Sequence, residues 1–232
     1  MLTFRRLAGL VTTALALTTL VAVPARADDN SWTSLYAGTA YEGAGWTNCP
    51  QPITISVDTR ALDPAQKAKA RKAVEVALAK WNRAKVVTFQ FGGEIPVRFD
   101  RASGVSTPED GVARDRWIYV TLVKANSKST SDTAVVGLAG PLRVDPATKA
   151  ILEASAAFQA QYVNKQPRAL VAELFAHELG HVFGLGHDAA KGNVMYPILS
   201  ALKKLGASDI AGAYALLKPC PAPPPAEAPP AP

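Results

Sequence analysis

Histidine is the scarcest informative residue of this chain. Among 232 residues there are only three, and all lie between positions 177 and 187. Cysteine and methionine are nearly as rare: Cys49 and Cys220, and Met195 beside the initiator. Two cysteines allow at most one disulfide, so stability must come mainly from a hydrophobic core. The formal charge is +6, and the segment 1–27 carries Arg5, Arg6 and Arg26, so the rest stands at +3. That is too mild to predict a nucleic-acid partner. No repeat of fold size appears, and no repeat-type calcium motif; calcium is left open.

The N terminus reads as an export signal. Arg5 and Arg6 precede an apolar, threonine-dotted run from Leu7 to Val23, and Ala25-Arg26-Ala27 offers a small-residue cleavage site. The rival is a membrane anchor, but the run falls short of the ~20 residues that span a bilayer. Four segments are expected: a signal peptide at 1–27, an arm or short propeptide at 28–48, one catalytic-size domain at 49–220, and a proline-rich tail at 221–232. The tail, PAPPPAEAPPAP after residue 220, has no core-forming pattern and reads as a cell-wall spacer or a disordered end.

Residues 177–188 read HELGHVFGLGHD. Residues four apart share a helix face, so His177 and His181 can aim at one metal ion. Glu178 projects about 100° away, where it can reach a water on that ion. Gly184 lets the chain leave the helix and turn back, so that His187 supplies a third ligand. Three protein ligands leave a fourth position open, the mark of a catalytic zinc. Glu178 is then the general base, and later the acid, of a hydrolysis. A satisfied core histidine explains one such position but not three with a glycine at fixed offset.

Downstream, residues 193–197 read NVMYP. Together with the zinc motif, this resembles the metzincin clan of zinc endopeptidases, whose long motif is followed by a tight turn carrying a methionine beneath the metal. Met195 fits that Met-turn; the plain alternative is an apolar gap-filler. Tyr196 and Pro197 resemble the wall of the main specificity pocket in the matrixin branch. Asp188 departs from the usual matrixin residue and is more typical of adamalysins. The resemblance implies an α+β fold: a mixed, mostly parallel twisted sheet of about five strands with an antiparallel edge strand, two long helices, one bearing the zinc motif, and a C-terminal helix after the Met-turn. It implies a peptide or protein substrate, one catalytic zinc and a monomer. The second, structural zinc of many matrixins needs histidines that this chain lacks.

Cys49 and Cys220 suggest a disulfide closing the domain, worth ~5 kcal/mol in the chain-entropy model. The rival role for Cys49 is to block the zinc before activation, but the matching propeptide motif is missing. Strands are expected at 53–57, 86–91, 96–99, 117–123 and 151–158. The stretch 134–142 resembles the family's substrate-pairing edge strand. A first helix opens with Asp63 and Pro64 and buries Ala70, Val74, Ala77, Leu78 and Trp81. Pro167 opens the zinc helix, and Ser208 caps a last helix through Leu217. Residues 101–116 read as a loop. Two other functions stay open: a zinc-holding wall-associated module without peptidase activity, and hydrolysis of wall-peptide amides.

Overall fold

The computed structural model describes residues 32–124, 136–200 and 203–221. The expected signal peptide, most of the proline-rich tail and the first residues of the 134–142 stretch lie outside them.

The described residues form seven strands and four helices: β1 (Ile53–Asp58), α1 (Pro64–Arg83), β2 (Phe89–Glu94), β3 (Val97–Asp100), β4 (Val105–Pro108), β5 (Trp117–Val123), β6 (Gly137–Val144), β7 (Ile151–Gln159), α2 (Ala160–Lys165), α3 (Arg168–Phe183) and α4 (Ala207–Leu216). Five strands make one sheet in the order β2-β1-β5-β7-β6. β1 pairs in parallel with β2 and β5, and β5 in parallel with β7. β6 runs antiparallel to β7 along the edge, from Gly137 opposite Phe158 to Val144 opposite Ile151. This is the mixed, mostly parallel sheet with an antiparallel edge that the resemblance implied.

Parallel neighbours need a crossover, and α1 supplies it between β1 and β2. Its apolar stripe of Ala70, Ala73, Val74, Ala77, Leu78 and Trp81 is buried. That stripe joins Ile55, Val57, Ile118, Val120 and Leu122 of the sheet and Leu174, Leu179 and Val182 of α3 in one core. A two-stranded antiparallel hairpin of β3 and β4 packs against β5 and β7. Tyr119 and Thr121, which alternate with the helix-facing residues of β5, are therefore buried as well.

Three local readings differ. Residues 105–108 are a strand and not a loop: the polar run VSTP gives no apolar alternation, but Ser106 is fully buried in the hairpin. α1 begins at Pro64 as expected, yet Asp63 makes no side-chain cap; its backbone carbonyl accepts from Gln66 N at 2.8 Å. The last helix is capped by Gly206, not Ser208, whose hydroxyl donates instead to Asp188.

Cys49 and Cys220 are bonded, with Cα atoms 4.8 Å apart, within the span a disulfide needs. Cys49 is thus committed to the bridge and is not a thiol free to block a metal. Among the described residues, no helix is long and apolar enough to cross a membrane.

Candidate metal centre

α3 carries the motif, and it is unusual in being buried on every side from Val171 to Phe183. It ends in a Schellman motif. Gly184 adopts φ 98°, its N–H bonds His181 O at 2.9 Å, and Leu185 N–H bonds Gly180 O at 3.0 Å. A left-handed residue is needed there, which is why glycine stands at that offset. The chain turns back and brings His187 to the other two histidines.

Ring centroids lie 4.7 Å apart for His177–His181, 5.2 Å for His177–His187 and 5.0 Å for His181–His187. One nitrogen of each lies within 4.8 Å of the others. His177 Nδ1 is 2.7 Å from Val194 O, and His181 Nδ1 is 2.7 Å from Leu185 O. A carbonyl only accepts, so both Nδ1 atoms carry the proton and both Nε2 lone pairs are free. Outer hydrogen bonds of this kind orient metal-binding imidazoles. Burial pushes His177 down to about 4 and His181 well below its ordinary value. His187, partly exposed, is lowered too. Neutral rings are the form that binds a metal, so protons do not compete at neutral pH. The donor set fits one zinc ion.

Glu178 is buried with them, and its Oε2 has no hydrogen-bond partner. Burial alone pushes its carboxyl up to about 8; a divalent cation beside it would favour the charged form. The carboxylate lies against Gly137 of β6, where an added methyl would sit 2.5 Å from Oε1. A side chain at 137 would therefore displace it.

Met195 is 1% exposed, in a turn closed by Tyr196 N–H to Asn193 O at 3.2 Å. Its sulfur packs so close to Gly180 that a methyl there would collide with it. Asp188 N–H donates to Met195 O at 2.9 Å, tying the residue after the third histidine to the turn. The Asp188 carboxylate accepts from Ala190 N–H at 2.8 Å, Asn193 Nδ2 at 2.6 Å and Ser208. Burial opposes its charge, but these donors hold its carboxyl below the ordinary range. Asp209 Oδ2 accepts from Val194 N–H at 3.0 Å and Gly206 N–H at 2.9 Å; burial raises its carboxyl to about 6 despite them. Tyr196 is half-buried, with Lys203 Nζ 5.2 Å from its ring centre and 2.7 Å from its carbonyl. Pro197 and Ile198 beside it are exposed.

The structure thus brings together His177, Glu178, His181, His187 and Met195, with Tyr196 and Pro197 beginning the next segment. Cys49 and Cys220 stay together elsewhere. Sequence reasoning missed Gly137, Gly180, Lys203 and Asp209. Asp209 had a signal, standing three residues after the helix-capping Gly206; Gly137 and Lys203 had none.

Fold and site together define a metal-centre protein of one class: a buried helix carries two imidazoles and a carboxylate, and the turn after it brings in a third imidazole. A family model described as Matrixin matches residues 45–217. The chain belongs to the matrixin family, whose members are zinc metalloendopeptidases. A solved structure of metalloproteinase-II from Bacteroides fragilis is similar, at 13% identity and a TM-score of 0.46, over 77% of this chain and 61% of that one. The chain thus spans less than two thirds of that protein. No curated protein matches.

Proposed function

We propose that this chain is an exported zinc-dependent endopeptidase that hydrolyses internal peptide bonds of protein substrates. The observation that carries the reading is Glu178, a buried carboxylate with one oxygen unpartnered, next to three converging imidazoles. His177, His181 and His187 hold the ion. Zinc bound there supplies Lewis acidity, making water acidic at neutral pH and polarising a carbonyl. Glu178 accepts the proton of the attacking water and returns it to the departing amine. Val194 O and Leu185 O keep two of the imidazoles in the required tautomer. Gly137 leaves the room in which Glu178 stands.

Among the described residues β6 is the last strand of the sheet, and no other strand pairs with its outer edge. An extended substrate adds there by backbone hydrogen bonds, with Tyr196 and Pro197 walling the pocket for one side chain. Met195 forms the floor beneath the metal. The segment 1–27 is removed on export, 49–220 is the catalytic domain, and the tail is a spacer at the cell wall. The protein acts as a monomer.

Mass-spectrometric profiling of a peptide library tests the reading. Internal cleavages should appear with zinc-loaded protein and vanish with a chelator. Intact peptides in both arms would leave a zinc-holding module instead.

A further inference from the structure

Residues 32–44 precede the matched segment 45–217, yet the bonds of Thr33, Leu35 and Tyr36 converge on the end of α3 and on the loop that delivers His187. Leu35 N–H donates to Gly184 O, and Gly186 N–H donates to Thr33 O, both at 2.7 Å. Ser34 and Leu185 are thereby bridged antiparallel. The buried Tyr36 donates its hydroxyl to His181 O at 2.8 Å. The Thr33 hydroxyl donates to His187 O at 3.2 Å.

A helix leaves its last four carbonyls without partners inside the helix. Here Gly180 O and His181 O are met by the Schellman turn, His181 O also by Tyr36, and Val182 O by the indole of Trp46 at 3.1 Å. Two of the three histidine carbonyls therefore lean on this arm. Gly186 points the same way. It does not adopt a left-handed conformation, so its backbone accepts a side chain. The three nearest atoms an added methyl would meet all belong to Thr33, and it would collide with the hydroxyl. The arm, not the turn, requires glycine there.

We propose that residues 32–44 are a retained positioning arm that holds the His181–His187 loop in its metal-binding shape, and not a propeptide removed to give activity. The proposal rests on the zinc reading above. Thr33, Leu35 and Tyr36 touch backbone carbonyls and no ring nitrogen. They act by restricting the loop before the ion binds, so less conformational freedom is lost on binding.

The test uses the full chain with Gly186→Ala, Tyr36→Phe and the pair Gly186→Ala with Thr33→Ala. Zinc affinity is measured by chelator competition, ligand geometry by the visible bands of the cobalt-loaded protein, and turnover as kcat and KM separately. Gly186→Ala should weaken zinc by about 10-fold or more, shift the cobalt bands and lower kcat with KM kept. Adding Thr33→Ala should restore all three. Tyr36→Phe should move the same readouts by less. Mass spectrometry of the active protein should place its N terminus before Thr33.

Parental zinc affinity and cobalt bands in both single variants would overturn the proposal. So would a higher kcat, an active form beginning after Tyr36, or a lowered melting temperature with unchanged zinc affinity. If His187→Ala binds zinc as the parent does, the zinc reading itself falls, and the arm's role with it.

Discussion

α1 and α3 lie together in one core, but they are buried in different ways. α1 hides a single stripe, while Lys72, Glu75 and Val76 face solvent. α3 is buried all round from Val171 onward, and Glu173, His177, Glu178 and His181 are inside with the apolar residues. A helix that only packs has no reason to bury four polar side chains, since each costs free energy unless satisfied. In α3 the partners are largely visible. Glu173 is paired with Lys80 of α1, and both histidines donate to carbonyls. Only the carboxylates keep an unpartnered oxygen, Oε2 of Glu173 and Oε2 of Glu178. The contrast separates a helix whose sequence serves the core from one whose sequence serves chemistry.

The largest disturbance short of the site itself should come from the contact beneath the motif. Gly180→Ala drives a methyl into the Met195 sulfur. Overpacking of this kind costs about 1–3 kcal/mol. Melting temperature and zinc affinity should fall together; a variant that keeps both would show that the turn does not support α3.

Trp81 is the place where the packing helix touches the chemical one, its indole donating to Ala176 O at 2.8 Å. Trp81→Phe removes that bond and some ring volume. It should cost about 1–2 kcal/mol, read by denaturant titration, while zinc content is unchanged. Loss of zinc from this variant would erase the distinction between the two helices.

The smallest effect concerns the supports of the turn. Asp209 has a folded-state carboxyl near 6 against an ordinary 3.8. A raised acid contributes stability that is full below its ordinary value and lost as pH rises through the folded value. The charged form is thus a burden above about pH 6. Asp209→Asn keeps an acceptor and removes the charge, so it should gain on the parent between pH 5 and pH 8 by roughly 2–4 °C in melting temperature. A constant difference across that range would contradict the assignment.

What could be read from the sequence was what is local. His177, Glu178, His181 and Gly184 act through helix geometry and a helix stop, and both depend on spacing alone. The stripe of α1 and the strand β1 were legible because they recur or alternate with the period of their structure. The edge strand and the Met-turn came from resemblance to a family. The unread features are contacts between distant segments: Gly137 against Glu178, Asp209 beneath Val194, and Thr33 to Tyr36 against the ligand loop. The arm shows no period because two of its bonds to the ligand loop use backbone atoms, which every residue carries, and two use single hydroxyls, on Thr33 and Tyr36. The strand at Val105–Pro108 escaped because its one fully buried residue, Ser106, is polar and is buried by the hairpin it helps to build. Asp188 looked like a departure from its family. It finds its use in Asn193, within the same turn, and in Ser208 of the last helix.

The most direct measurement compares the parent with Glu178→Gln for zinc content and peptide hydrolysis. The substitution removes only the proton-accepting charge. The zinc content should stay at one ion per chain, and kcat should fall by about 10²–10⁴-fold. Hydrolysis at the parental rate, with zinc still bound, would contradict the role given to Glu178 and the reason for burying it beside three histidines.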